Sequence, residues 1–152
     1  MLFMQSGGRY ALYLLFCMLF AGACSKKKIE EKAYEPSTLN KVFEDYILNK
    51  DITVTQASLD GRDTTPMFSG YVFKLLKNTY YDGPFEARHN GQTYTGTWQS
   101  NDDYSKLILN IQGTGALQWV SISWKFKSKS ANSLELIPWF NTDGGRYVKF
   151  AK

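Results

Sequence analysis

The stretch that decides the fold is VSISWKFKSK, residues 120–129. Apolar residues alternate along it with serines and lysines, so that Ile122, Trp124 and Phe126 share one face. Successive side chains of a strand point to opposite faces of a sheet, so this pattern predicts a strand with one buried and one wet face. Such strands are typical of antiparallel sheets that are covered on one side only. The stretch therefore predicts an antiparallel β domain.

Seven further segments have the character of strands, and turn residues separate them. Their bounds are 51–58, 70–77, 85–89, 92–99, 106–112, 134–140 and 146–151. Asn90-Gly91 is a strong hairpin signal, because a type I′ turn requires positive φ at both central positions. Residues 82–84 (Asp-Gly-Pro) are expected to break the chain, and residues 113–115 (Gly-Thr-Gly) to form a flexible break. Pro138 is expected to place its strand at an edge or a bulge.

One helix is predicted ahead of the first strand, over Thr38–Asn49. Its apolar residues follow helical spacing and form one face: Leu39, Val42, Phe43, Tyr46 and Ile47. Eight short strands joined by tight turns favour an up-and-down meander, and closure into a barrel removes the exposed edges of such a sheet. The predicted fold is therefore all-β, an eight-stranded antiparallel barrel with one short N-terminal helix. An open two-sheet sandwich is the alternative.

The N-terminus carries a second informative pattern. Arg9 precedes an apolar run over residues 10–20, and Ala21-Gly22-Ala23-Cys24 follows. The run has about the length of a signal-peptide core and is far shorter than the ~20 residues of a membrane-spanning helix. Small residues before a cysteine resemble the lipobox of bacterial lipoproteins, although Ala21 replaces the usual leucine. An ordinary secretory signal and an uncleaved anchor are the alternatives.

The lipobox resemblance implies a division of the chain. Residues 1–23 would be the signal peptide, residues 24–37 a polar tether, and residues 38–152 the folded domain. Acylation of Cys24 would hold the protein in a bacterial envelope membrane, with the outer membrane favoured and its face left open. Cys17 would leave with the signal peptide, so the mature domain would contain neither a disulfide nor a cysteine metal site.

Several short patterns support a second resemblance. They are DGRDTT (60–65), FSGYVFKL (68–75), YTGTWQ (94–99), LILNI (107–111), SWKF (123–126), LEL (134–136) and YVKF (147–150). Together they resemble the small lipocalin-like lipoproteins that are abundant in Bacteroidota. The resemblance covers roughly residues 39–152 and implies a β-barrel of about eight strands on a lipid-anchored tether. The lipocalin Gly-x-Trp motif is not visible near the first strand, where residues 51–53 read Asp-Ile-Thr.

Residue types that carry catalysis or bind metals are sparse. His89 is the only histidine, so a zinc site of the usual kind cannot be assembled. The acidic turn residues lack EF-hand spacing, no G-x-S-x-G motif is present, and no pattern brings Glu86 and Glu135 together as a glycosidase pair. The net charge of +4 is scattered, which argues against nucleic acid as a partner. The sequence thus predicts a monomeric, non-enzymatic protein without metal or cofactor.

Aromatic residues make up 16% of the chain and leave two functional hypotheses. In the first, a small hydrophobic ligand enters the barrel and contacts four aromatic residues: Tyr71, Phe73, Trp98 and Trp124. In the second, side chains fill the barrel, and its outer face or loops contact an envelope protein or a glycan. Trp119 and Trp139, which lie near a glycine-rich loop and a proline, are predicted to line a barrel mouth or a contact surface.

Overall fold

The structure is a computed structural model and describes residues 38–152. The predictions for the signal peptide, for the tether and for lipidation of Cys24 lie outside these residues. So do the side chains of Thr38, Leu39 and Val42, which belong to the predicted helix.

The described chain contains two short α-helices, nine strands and two 3₁₀ turns. The α-helices are α1 (Thr38–Tyr46) and α2 (Ala116–Val120), and the 3₁₀ turns are Thr65–Phe68 and Asn141–Asp143. The strands are β1 (Thr53–Leu59), β2 (Arg62–Asp63), β3 (Val72–Leu75), β4 (Asp82–His89), β5 (Gln92–Ser100), β6 (Lys106–Ile111), β7 (Ser123–Lys129), β8 (Ser133–Pro138) and β9 (Arg146–Ala151). All eight predicted strands are therefore present. The additional strand, β2, has two residues and lies within the DGRDTT segment, residues 60–65.

The strands form one antiparallel nine-stranded sheet in the order β2-β1-β9-β8-β7-β6-β5-β4-β3. The all-β class and the meander are thereby confirmed. Ile52 and Phe73 exchange two backbone hydrogen bonds of 2.9 and 2.8 Å close to the two edges of the sheet. This pair is an isolated bridge that the strands do not extend into a ladder, so the sheet is not closed and the predicted eight-stranded barrel is not confirmed.

Helix α1 confirms the predicted N-terminal helix but ends three residues earlier than predicted. Asn49 has φ of 59° and donates its N–H to the carbonyl oxygen of Leu75 over 2.8 Å, which turns the chain towards the sheet. Phe43 and Ile47 are buried, as the spacing predicted. Tyr46 is exposed instead, and its ring lies 5.2 Å from the Lys152 ammonium.

The tight turn at Asn90-Gly91 forms as predicted, with φ of 50° and 77°. The expected break at residues 82–84 is wrong, because these residues begin β4 and pair with β5. Gly83 is buried opposite Trp98, where a Cβ atom would overlap the carbonyl oxygen of Leu76. Pro84 accepts a hydrogen bond from the N–H of Leu76 beyond the end of β3. Because β3 has already ended, no strand on that side needs an N–H donor from Pro84, and the sheet tolerates the proline.

Replacement of Gly83 by alanine tests this close approach. We expect Gly83→Ala to lower the free energy of unfolding by about 1–3 kcal/mol, because the new methyl group must displace the Leu76 carbonyl or the Trp98 indole. Chemical denaturation measures the change. Thr95→Ala, at an exposed position of β5, is the control and should change the free energy of unfolding by less than about 0.5 kcal/mol. An unaltered unfolding midpoint for Gly83→Ala would contradict the packing described here.

The predicted start of the strand at Val120 is wrong. Residues 113–115 do break the chain after β6, but the element that follows them is a helix. Val120 ends helix α2, and β7 begins at Ser123. Gly115 has φ of 59° at the N-cap of this helix. The Ser121 hydroxyl oxygen lies within hydrogen-bond distance of the carbonyl oxygens of Leu117 and Ile111, at 2.7 and 2.9 Å, and so joins the end of the helix to β6.

Aromatic side chains fill the space between α1 and the sheet. The ring centroid of Phe43 lies 4.9 Å from that of Tyr104, 5.7 Å from Trp98 and 6.0 Å from Phe126. A second group lies towards the other end of the interior, where Trp119 contacts Phe68 and Trp124. Each fully buried aromatic of this kind stabilises the fold by about 1.5–3 kcal/mol.

Candidate functional site

Three of the four predicted ligand-binding residues belong to this packed interior. Phe73, Trp98 and Trp124 each have 0% of their surface exposed. The Trp98 indole N–H donates to the carbonyl oxygen of Leu76 over 2.6 Å, and that of Trp124 to Val120 over 2.8 Å. Both indoles therefore have their polar atom satisfied by the protein, as core tryptophans require.

Tyr71, the fourth predicted residue, is half-buried and lies apart from the two tryptophans. Its ring stacks on His89 with a centroid distance of 4.1 Å and on Phe73 with 5.8 Å. It also lines a cleft of about 500 Å³ beside the unclosed edges of the sheet, here called the seam cleft. The structure thus brings Tyr71 and Phe73 together, but it gives Trp98 and Trp124 no opening to solvent.

A second cleft, with a volume of about 700 Å³, lies on the outer face of the sheet. We call it the outer cleft. It is formed by β1, β7, β8, the start of β9 and the loop between β8 and β9. Its lining residues are Gln56, Ser58, Lys127, Ile137, Pro138, Phe140, Asn141, Gly144, Gly145, Arg146 and Tyr147.

Two bulges shape the floor of the outer cleft. The register of β1 with β9 shifts between Val54 and Gln56, and that of β7 with β8 shifts between Phe126 and Ser128. A bulge adds one residue to a strand and redirects the side chains around it. The bulge in β1 thereby exposes Gln56 on the outer face, where Lys127 also lies as the alternation of β7 predicted.

A pair of hydrogen bonds fixes the rim of the outer cleft. The Asp60 carboxylate accepts the N–H of Gly145 over 2.9 Å, and the Asp60 N–H donates to the carbonyl oxygen of Gly145 over 3.1 Å. A side chain at position 145 would press against the Asp60 carboxylate, since a Cβ there would lie 2.8 Å from that oxygen. The turn after β1 and the loop before β9 are therefore joined as one unit, which we call the Asp60–Gly145 clamp.

The lining of the outer cleft contains two cationic side chains and no carboxylate. The Lys127 ammonium lies 5.1 Å from the centre of the Tyr147 ring, and Arg146 donates to the carbonyl oxygen of Trp119 over 3.1 Å. Burial raises the pKa of Tyr147, and its hydrogen bond to Glu135 adds to the effect. Glu135 lies beside the cleft in an ion pair with Lys149, and that contact is the main cause of its lowered pKa.

Two consecutive aromatic residues stand out from the surface beside this cleft. Phe140 is 53% exposed and Trp139 is 38% exposed. The Lys106 ammonium lies 5.1 Å from the Trp139 ring and 5.6 Å from the Phe140 ring. Trp139 thus lies at the surface as predicted, whereas Trp119 is buried against Phe68 and Trp124 and is not part of a contact surface.

Sequence reasoning did not single out Phe140, Lys127 or Arg146. Lys127 was interpreted as one of the wet residues of an alternating strand, and the bulge that places it beside the cleft leaves no signal in that alternation. The available signal was the segment WFNTDGG, residues 139–145, in which two aromatics precede a polar and glycine-rich turn. Large apolar side chains are uncommon in a solvated loop and often mark a contact site.

Within residues 38–152, no group of three or more His, Cys, Asp and Glu side chains is placed to hold a metal ion. The helices of this part of the chain are also too short and too polar to cross a membrane.

No family model and no curated protein matches the chain. Among solved structures, its fold is similar to the crystal structure of a DUF4847 family protein from Bacteroides vulgatus ATCC 8482. The TM-score is 0.52 at 15% sequence identity, and the match covers 71% of this chain and 95% of the other. At this identity the likeness concerns the fold alone. A lipocalin-like identity is not confirmed.

Proposed function

We propose that this chain is a lipid-anchored protein of the bacterial cell envelope whose folded domain is a non-enzymatic glycan-binding module. The outer cleft is its binding site. The observation that carries the proposal is the contrast between an aromatic-filled interior and an open outer cleft lined by exposed aromatic, amide, hydroxyl and cationic groups.

The anchoring part of the proposal rests on the N-terminal sequence. Cys24 would carry the acyl chains and residues 25–37 would form the tether, with the outer membrane as the favoured location. A single acyl chain binds membranes only marginally, so stable attachment requires the several chains that lipoprotein modification supplies. The domain itself is proposed to be a monomer with a lipocalin-like barrel, in which the Ile52–Phe73 bridge brings the two sheet edges together.

The lining chemistry of the outer cleft suits a sugar. Sugar hydroxyls both donate and accept hydrogen bonds, as do the amide of Asn141 and the hydroxyl of Ser58. The C–H faces of a sugar ring are apolar and pack on exposed aromatic rings such as Phe140. Lys127 and Arg146 add charged donors, and hydrogen bonds from charged donors are the stronger ones.

The hydrophobic-ligand hypothesis makes a different demand on the structure. A ligand in the interior would have to displace Phe73, Trp98 or Trp124 from fully buried positions. Extraction of the purified protein with organic solvent, followed by mass analysis, tests this alternative. Recovery of a lipid in stoichiometric amount would favour interior binding over the outer cleft.

Removal of the most exposed aromatic of the outer cleft tests the proposed site. We expect Phe140→Ala to weaken saccharide binding about tenfold, which corresponds to a loss of about 1.4 kcal/mol of stacking and apolar contact. Isothermal titration calorimetry of the purified full chain with maltohexaose, cellohexaose, xylohexaose, mannohexaose and chitohexaose provides the measurement. Any one of these ligands suffices for the comparison.

Met67→Ala is the matched control, because Met67 is an exposed apolar residue that does not line the outer cleft. Unfolding midpoints of both variants verify that the fold is intact. Equal binding by Phe140→Ala and the unaltered chain would rule out the outer cleft as the site. Binding of an envelope protein, with no saccharide bound, would overturn the choice of ligand.

A further inference from the structure

Three lysines form a cluster on the outer face of the sheet, beside the outer cleft. Lys106 lies directly opposite Lys125 in the pairing of β6 with β7, and Lys125 lies opposite Ile137, a lining residue of the cleft. Lys127 also lines the cleft and lies two positions further along β7. Neighbouring strands are about 5 Å apart and two residues of strand span about 7 Å, so the three side chains start from one small area. We call Lys106, Lys125 and Lys127 the lysine cluster.

The positive charge of the lysine cluster is not compensated by the protein. Within residues 38–152, none of its three ammonium groups forms an ion pair with a carboxylate. Glu135, on the adjacent strand β8, is paired with Lys149 over 3.3 Å; Lys149 is the main cause of its lowered pKa, and Lys127 adds a smaller attraction. Like charges that lie directly opposite each other destabilise a sheet, so the Lys106–Lys125 pair is unfavourable to the fold.

Two aromatic rings connect the lysine cluster to the outer cleft. The Lys106 ammonium lies 5.6 Å from the centre of the Phe140 ring, and the Lys127 ammonium lies 5.1 Å from that of Tyr147. Both rings line the cleft, so a sugar packed on either ring lies close to an ammonium group. Hydrogen bonds between an ammonium and an oxyanion are roughly twice as strong as those between neutral groups. A neutral sugar offers the cluster no negative charge, whereas a sugar that carries a carboxylate or a sulfate does.

We propose that the glycan is acidic, with carboxylate or sulfate groups on its sugars, and that the lysine cluster binds these groups. This inference rests on the proposed function and adds the charge of the ligand. An anionic membrane surface is the other large partner that lysines and exposed aromatics suit. A bilayer is flat, however, and would leave unfilled the cleft that Lys127 and Phe140 line.

Titration calorimetry of the full chain with neutral and acidic forms of the same oligosaccharide tests the inference. The probes are maltohexaose and cellohexaose, each unmodified, sulfated, or with its primary alcohols oxidised to carboxylates, and hexagalacturonate with its methyl ester. At an ionic strength of about 0.01 M, where charges act over roughly 30 Å, we expect an acidic form to bind at least about tenfold more tightly than its neutral form. At about 1 M salt, where this length falls to roughly 3 Å, most of the advantage should disappear. The sulfated and carboxylated arms distinguish the two acidic groups.

Lys125→Gln tests the lysine cluster directly. We expect this variant to reduce the advantage of the acidic form about threefold, as loss of an exposed charge contact predicts. Its unfolding midpoint should not fall, because the substitution removes the repulsion from Lys106. Lys50→Gln is the matched control, since it removes the same charge at an exposed position that does not line the outer cleft, and it should preserve the advantage. A lower midpoint for Lys125→Gln with an unaltered advantage would show that the lysine is structural and would overturn the inference.

Equal affinity for acidic and neutral forms, with Phe140→Ala still weakening both, would overturn the acidic ligand while the proposed function stands. An absence of saccharide binding would overturn both. If Lys125→Gln then weakened association with phosphatidylglycerol vesicles but not with phosphatidylcholine vesicles, the lysine cluster would belong to a membrane-binding surface instead.

Discussion

Cys24→Ala is expected to move the protein from the membrane fraction to the soluble fraction. Each buried methylene of an acyl chain contributes about 0.8 kcal/mol to membrane attachment, so loss of several chains removes essentially all of it. The remaining chain would offer the bilayer only the apolar run at residues 10–20, which is about half the length of a spanning helix. Fractionation of cells followed by immunodetection of the protein measures the distribution.

The chain supplies its own control, since Cys17 is its other cysteine. Cys17→Ala should leave the protein lipidated and in the membrane fraction, because this residue would be removed with the signal peptide. Metabolic labelling with a palmitate analogue separates lipidation from other causes of attachment. If Cys24→Ala protein stays as firmly bound as the unaltered protein, the lipoprotein interpretation is wrong and residues 10–20 must be the anchor.

Trp98→Ala is expected to lower the free energy of unfolding by about 3–5 kcal/mol. The indole is fully buried against Phe43, and its loss would also leave the Leu76 carbonyl oxygen without its 2.6 Å hydrogen bond. That loss is a large fraction of the total stability of a domain of this size. Denaturation in urea, followed by far-ultraviolet circular dichroism, determines the change.

Trp139→Ala is the matched control for Trp98→Ala. Because Trp139 is exposed, its removal should change stability by no more than about 0.5 kcal/mol. Similar unfolding midpoints for the two variants would show that the interior around Trp98 is loosely filled, and the hydrophobic-ligand hypothesis would then regain support.

Local patterns predicted most of the strands because the sheet has one buried face. Trp124 and Phe126 alternate with exposed lysines in β7, and such alternation is visible in the sequence without any knowledge of neighbouring strands. The tight turn at residues 90–91 was also predictable from the local sequence, since positive φ favours asparagine and glycine.

The predictions that failed share one cause, which is a contact with a residue outside the segment from which the prediction was made. Residues 82–84 have the composition of a turn. Gly83 is needed there for another reason, because Leu76 and Trp98 lie so close that a side chain would not fit. Val120 continues the alternation of β7, yet the bonds of Ser121 to Leu117 and Ile111 end a helix there. Bulges escape detection as well, because a register shift is a property of two strands.

The same limit applies to the candidate site. Aromatic content predicted that tryptophans would matter, but it could not distinguish an indole whose N–H is bonded inside the core from one that faces water. Trp98 and Trp139 differ in this respect only because of where β5 and the end of β8 lie in the sheet. The outer cleft is built from four strands and a loop, so no single segment of sequence encodes it.

The Asp60–Gly145 clamp has a consequence for how quickly a ligand is captured. Its two hydrogen bonds hold the rim of the outer cleft in place before any ligand arrives. Association that needs no rearrangement of the protein loses little conformational entropy and proceeds without a slow conformational step. Such a rigid rim suits the proposed glycan-binding site to repeated, rapid and reversible encounters with the repeating units of a polymer.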